Sequence, residues 1–294
     1  MSRPVVLTRW AVCLPGLPPG TTFEGWAPDD VPPPERAGEL LGRKGLLAKE
    51  PATRLALCAV HRAFGLPERA PRRTASDLSP DTAVVISSNL GNIATVARLS
   101  TSVREEGVRA ASPLDAPNAS GNVIASTVAI WFRFGGPNLT VCSGHPSGLD
   151  AVGLGHMLLL SGRARRVVVV GVEPRDATAD ALLTDATGEP GVAVAACVVL
   201  EPEGVGAPLH EVAPVSNTER PHVVADRGDD GRSELDTGSD GRGYGAEGVL
   251  QVAVAAAVVT DDPGVRSVTA VCGSRTEGFR SALVGSPRVT LGAA

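Results

Sequence analysis

Aromatic residues are scarce: Trp, Tyr and Phe together make up 3% of the 294 residues, with a single tyrosine. The core must therefore be built from valine, alanine and leucine, within an apolar fraction of 43% that is ordinary for a globular protein. Basic residues are not in excess. The formal net charge of −5 gives no support to nucleic-acid binding or to an anionic membrane surface. No apolar run approaches the length of a membrane span. Arg9 interrupts the short apolar run at the start, so the segment does not read as a signal peptide. The five cysteines (Cys13, Cys58, Cys142, Cys197, Cys272) are scattered, and no pair has metal-ligand spacing. They read as buried free thiols in a reducing compartment, and a cytoplasmic protein is expected.

What is present is one strongly patterned stretch, Gly135 to Leu149. Leu139 to Cys142 reads as a buried strand. A tight turn follows at Ser143–Gly144–His145, and Pro146 suits a first helical position, where its missing N–H has no partner to lose. The helix runs through Leu149, Val152, Met157 and Leu160 to Gly162, and Val167 to Gly171 reads as the next strand. The turn residue is thus presented at the N-terminus of a buried helix. Enzymes place nucleophiles at such elbows because the helix end stabilises negative charge. Here the residue is His145.

Gly136-Pro137, the elbow, Ser147-Gly148 and Gly171-Val172-Glu173 together resemble the nucleophile elbow of the β-ketoacyl synthases, in the thiolase-like superfamily. In that alignment the family's catalytic cysteine falls on His145, and Cys142 lies three residues earlier, inside the strand. Upstream, the resemblance takes in Asn118–Trp131, near the family's subunit interface and acyl pocket. It also takes in Thr82–Ser87, whose turn at Asn89 lies near the family's active site. Gly188 to Glu201 resembles a further family strand. The resemblance implies a thiolase-like α/β layered fold of two β-α-β halves. Residues 1–206 would form the N-terminal half and 207–294 a shortened C-terminal half.

The departures lie in that second half. Leu209–Ser216 can be its first strand, and Asn217–Gly241, polar and glycine-rich, reads as loop. The family's His-Gly-Thr-Gly-Thr motif has no counterpart. Its second histidine falls on Arg242 of Gly241-Arg242-Gly243-Tyr244-Gly245-Ala246-Glu247-Gly248. Val249–Val259 reads as an apolar helix and Ser267–Cys272 as a strand, and the family's terminal glycine-rich turn becomes Cys272-Gly273-Ser274. The cysteine and both imidazoles of a condensing enzyme are therefore missing, and standard Claisen condensation by this chain alone is not expected.

Two readings of His145 follow. It is a base or acyl acceptor, with Arg242 or Glu189 assisting, since imidazole exchanges protons near neutral pH. Alternatively it is a packing remnant of the elbow, as in chain-length-factor subunits, which carry a non-nucleophilic residue in place of the cysteine. The candidate residues are His145, Arg242 and Cys142 for chemistry, and Ser143, Gly144, Asn89 and Ser274 for the pocket or oxyanion turn. His61, His210 and His222 read as surface or packing residues, and His156 as a satisfied core histidine. Gly243 to Gly248 matches a dinucleotide-binding pattern, but the residues before it are polar where an apolar strand is needed. Asp236 to Glu247 lacks the ligand spacing of a calcium loop. The leading expectation is a non-condensing partner of an active ketosynthase in a polyketide or fatty-acid-type pathway, such as antibiotic biosynthesis. The other is a stand-alone enzyme that acts on an acyl thioester. A dimer, with a ketosynthase or with itself, and an acyl carrier protein are the expected partners. No metal or organic cofactor is implied beyond the carrier's phosphopantetheine arm.

Overall fold

The computed structural model describes residues 5–288 apart from 203, 211, 217 and 219 and the side chain of residue 230. Valine-rich segments form the strands β1 (Val5–Cys13), β2 (Thr82–Ser87), β3 (Asn138–Val141), β4 (Arg166–Glu173) and β5 (Val194–Glu201). Six further strands follow: β6 (Ala207–Leu209), β7 (Ala213–Val215), β8 (His222–Asp226), β9 (Arg232–Glu234), β10 (Ser267–Ser274) and β11 (Gly278–Gly285). The helices are α1 (Gly38–Leu41), α2 (Pro51–Ala63), α3 (Ile93–Glu106), α4 (Val123–Phe132), α5 (Ser147–Leu160), α6 (Ala177–Thr187) and α7 (Glu247–Asp261).

The strands join into one eleven-stranded sheet in the order β3-β2-β4-β5-β1-β6-β11-β10-β8-β9, with β7 paired to β11. β2 lies parallel to β3 and β4, and β5 is antiparallel to both β4 and β1. Val167 to Val170 of β4 are fully buried, because helices cover both faces of this part of the sheet. α2 and α4 pack on one face, with Leu55, Val60, Val128 and Trp131 against Val84, Val168 and Val170. α5 and α7 pack on the other. The C-terminal strands β10 and β11 also pack against α5 and α7, so this helix pair is the layer shared by the whole sheet.

α7 is largely apolar, and Val249, Leu250, Val252 to Ala256, Val258 and Val259 are fully buried. A helix of that composition has no solvent face to offer and can only be central. α5 crosses it at a backbone contact. A Cβ on Gly148 would lie 2.6 Å from the Gly248 nitrogen, and one on Gly248 would lie 2.5 Å from the Leu149 nitrogen. The first turns of the two helices therefore meet with no side chain between them.

Several sequence expectations need correction. Residues 217–241 are not plain loop: β8 and β9 lie within them, and β8 pairs with β10 over five residues. Val223 and Ala225 turn into the core, and two apolar residues at alternate positions sufficed to seat that strand in an otherwise polar segment. The expected strand 209–216 is instead the two short strands β6 and β7, which pair one after the other along the edge of β11 away from β10. Cys142 is exposed rather than buried, because it lies one residue past the end of β3. His156 is half-buried rather than a core residue. Pro146 stands one residue before the first residue of α5.

Because the α5–α7 crossing leaves no room for a methyl group, Gly148→Ala should destabilise the protein by about 3 kcal/mol or more, or prevent folding. Gly16→Ala, at a position with nothing within 4 Å, should be close to neutral. Urea denaturation of both variants checks the contrast.

Candidate functional site at the elbow

β3 delivers the chain to a turn in which Gly144 has φ +76°, a conformation suited to glycine. Gly144 has a second reason to lack a side chain: a Cβ there would overlap the Glu277 carboxylate. That carboxylate comes from the β10–β11 hairpin and sits directly on the elbow. Its Oε2 accepts a hydrogen bond from the His145 backbone N–H at 2.8 Å and lies 2.8 Å from His145 Nδ1. Ser274 Oγ donates to the same oxygen at 3.1 Å. Burial works to raise the Glu277 pKa, but the donors from His145 and Ser274 outweigh it and hold the carboxyl below its ordinary range. The far side of the His145 ring meets Tyr244 edge-on, with ring centroids 4.7 Å apart.

A second carboxylate braces the elbow from beneath. Glu173, at the end of β4, is 1% exposed. Its oxygens accept the backbone N–H groups of Asn89 at 2.7 Å and Leu90 at 3.0 Å. The Asn89 side chain then clamps the turn, donating to Gly144 O at 2.9 Å and accepting from Gly144 N–H at 3.1 Å. Burial pushes Glu173 up to about 7, against the lowering effect of these donors. Hydroxyls complete the brace. Ser87 Oγ donates to Gly245 O at 2.5 Å and lies 2.8 Å from Ser147 Oγ, which donates to Val141 O at 2.9 Å. One network thus ties β2, β3, β4, α5 and the turn before α7.

The candidate residues divide under this geometry. His145 and Arg242 come together at one cleft of about 120 Å³, which Glu189, Gly191 and Tyr244 also line. The Arg242 guanidinium lies 3.6 Å from the exposed Asp240 carboxylate. Its backbone N–H donates to Ser239 O, and its carbonyl accepts from Val192 N–H. His145 also lines a larger cleft of about 690 Å³ beside β8, α7 and the β10–β11 turn, which Ser274 shares. Asn89 and Gly144 shape the turn. Ser143 precedes Gly144 in the turn, but its hydroxyl is engaged elsewhere, donating to Asp150 Oδ2 at 2.7 Å on the first turns of α5. Cys142 is separate as well. It lines another hollow with Ser88 and Ile124, and its thiol donates to Ser88 O at 3.0 Å. Burial and the Glu173 charge push that thiol up, away from a nucleophilic thiolate.

Sequence reasoning missed Glu277 and Tyr244. Glu277 lies 132 positions from the histidine it binds, in a hairpin with no motif of its own. Tyr244 carried a signal, as the chain's single tyrosine inside a Gly-x-Gly turn. A third residue, Glu247, is 2% exposed at the floor of the larger cleft. Ser239 Oγ donates to it at 2.8 Å and Gly243 N–H at 3.0 Å, and burial raises its pKa.

The Glu173 shift gives a pH signature. A buried carboxyl with a raised pKa holds its proton in the folded state after the unfolded chain has released it. Its contribution to stability is full below the unfolded value of about 4.3 and is lost as pH rises through about 7, up to about 3 kcal/mol in all. Glu173→Gln should remove this slope, so that wild type and variant converge or cross between about pH 5 and about pH 8 in urea denaturation.

Residues 39–181 match the family model described as β-ketoacyl synthase, N-terminal domain. No curated protein matches the chain by sequence. Solved structures match the fold over nearly its whole length. The ishigamide ketosynthase/chain length factor superposes with a TM-score of 0.68 at 18% identity, covering 96% of this chain and 99% of that one. A type II polyketide synthase ketosynthase, solved in complex with its acyl-carrier protein, gives 0.66 at 13% identity, covering 97% and 99%. A β-ketoacyl synthase from Burkholderia phymatum STM815 gives 0.61 at 13% identity, covering 98% and 100%. The expected fold class therefore stands, with the C-terminal half shortened. The elbow's build, the family match across it and these superpositions agree: residues 39–181 are similar to the N-terminal domain of the β-ketoacyl synthases, and the chain has the thiolase-like fold of its ketosynthase neighbours.

Proposed function

We propose that this protein is a non-condensing, chain-length-factor-like partner of an active ketosynthase, contributing to the walls of an acyl-binding channel in a polyketide-type pathway. One observation carries the reading. The elbow N–H that would meet an acyl oxygen is already occupied by the Glu277 carboxylate, and the elbow side chain is an imidazole held by the same oxygen. An oxyanion site filled by a fixed negative charge repels the charge that an acyl-transfer step develops. The Cys142 thiol donates to Ser88 O, and burial raises its pKa, which disfavours a thiolate there. Residues 207–294 serve as a reduced half, and the carrier's phosphopantetheine arm is the prosthetic group that meets the complex.

A second reading has its own observation. A carboxylate 2.8 Å from Nδ1 is the arrangement that orients a catalytic imidazole and leaves Nε2 to take a proton. In that case the chain is a stand-alone enzyme acting on an acyl thioester, with His145 as base and Glu277 as its positioning residue.

Co-expression with the ketosynthase of the same pathway, followed by pull-down and mass determination, separates the two. The partner reading expects a stable one-to-one complex whose condensation activity survives His145→Ala within about threefold. A homodimer that ignores the ketosynthase and hydrolyses acyl thioesters at about 1 s⁻¹ or faster, with turnover lost in His145→Ala, would establish the enzyme instead.

A further inference from the structure

We propose that the C-terminal end of α4 carries an anion site for a phosphoryl dianion, held by Arg72, Lys49 and Arg133 beside a platform of Trp131. The site shares no residue with the elbow or with the two clefts that His145 lines, and the inference is independent of the acyl-binding reading.

Trp131 is 7% exposed, and the Arg72 guanidinium carbon stands 3.4 Å from the centre of its ring. Stacking on an aromatic face fixes a planar guanidinium and leaves its N–H edge free to bind. A Cβ on Gly45 would lie 2.5 Å from Arg72 Nη2 and 3.6 Å from Trp131 Cζ3, so a side chain at residue 45 would push the guanidinium off the ring. Among the described residues Arg72 makes no hydrogen bond or ion pair. Its donors are held in one place and are unspent.

Two more cations stand on the same helix end. Lys49 Nζ donates to Thr127 Oγ1 at 3.1 Å, one turn before Trp131 on α4. Arg133 is the left-handed C-cap of α4, with φ +59°, and donates through Nε to Arg73 O at 3.3 Å. Neither Lys49 nor Arg133 is ion-paired among the described residues. The charges crowd one another: burial and then Arg72 lower the Lys49 pKa, and burial and then Arg133 lower that of Arg72. Asp77 lies within electrostatic reach of Arg73 and Arg133, but its carboxylate accepts from the Thr74 N–H at 2.6 Å and the Thr74 hydroxyl at 2.8 Å. The helix dipole explains Arg73, whose Nη1 donates to Phe132 O at 3.4 Å. It does not explain Arg72 and Lys49, neither of which donates to a helix-end carbonyl. Like charges gathered in a chain of net charge −5 repel until an anion joins them. A fork, an ammonium and a second guanidinium are the donors that the several oxygens and double charge of a phosphoryl group take up together.

The test is calorimetric titration of the full chain with inorganic phosphate and with glycerol 3-phosphate, in about 50 mM salt to limit screening. Wild type should bind both at a single site. Arg72→Gln should weaken both about tenfold. Lys49→Met should do the same, and it keeps the test decisive if the arginine variant folds poorly. Arg165→Gln, at an exposed arginine on the turn before β4, should leave both affinities unchanged. Tighter binding of glycerol 3-phosphate would mark a phosphate ester as the occupant and equal affinity the free ion; either upholds the site. Failure of wild type to bind both probes, or equal affinities in wild type and the two patch variants, would overturn it. Binding of polyglutamate that is lost in Arg72→Gln, with no binding of either phosphate, would overturn it in favour of an acidic protein surface.

Discussion

The site depends on one backbone contact, between Gly148 at the start of α5 and Gly248 at the start of α7. Two helices can bring their first turns this close only where neither carries a side chain. Because their N-termini meet, everything that precedes them meets too. The elbow with His145 leads into α5, and the turn with Arg242 and Tyr244 leads into α7. Neither helix has an alternative location. α7 is buried around its whole circumference, and α5 turns Leu149, Val152 and Leu159 into the same core. Packing in the centre of the molecule thus determines the distance between groups at its surface.

Around that contact stand three carboxylates, two of them buried. Glu173 braces the elbow through Asn89, Glu247 holds the turn before α7, and Glu277 occupies the elbow amide. Their electrostatics differ according to how they are satisfied. Glu173 and Glu247 are so deeply buried that desolvation outweighs their donors and their carboxyls are raised. Glu277, part-exposed and facing an imidazole, is lowered. Two of the three therefore serve as buried structural acceptors with raised pKa values, while the third sets its carboxylate against the elbow amide.

The elbow also explains why two readings of function survive on one geometry. A carboxylate that fills an oxyanion site and a carboxylate that orients an imidazole are the same Glu277 oxygen. Its consequence depends on whether the reacting group needs the amide or only the free ring nitrogen.

Much of this was legible in the sequence. The strand–turn–helix at 139–160, the largely apolar helix after 248 and the strand after 166 follow from local periodicity and from glycine and proline placement, which act over a few residues. The family resemblance, and with it the missing cysteine and histidines, rested on the same local motifs. Local pattern misled where pairing is non-local. Val223 and Ala225 make a strand only because β10 is there to pair with it, and Cys142 faces solvent because β3 ends one residue earlier. Glu277 and Tyr244 were illegible as partners of His145, because hydrogen bonds and ring contacts between a turn and a distant hairpin leave no periodicity to read. The sequence by itself determined most of the elements and the expectation that the condensing residues are replaced. Only the tertiary structure decided what surrounds the elbow, because that depends on which side chains the α5–α7 crossing and the β10–β11 hairpin bring against it.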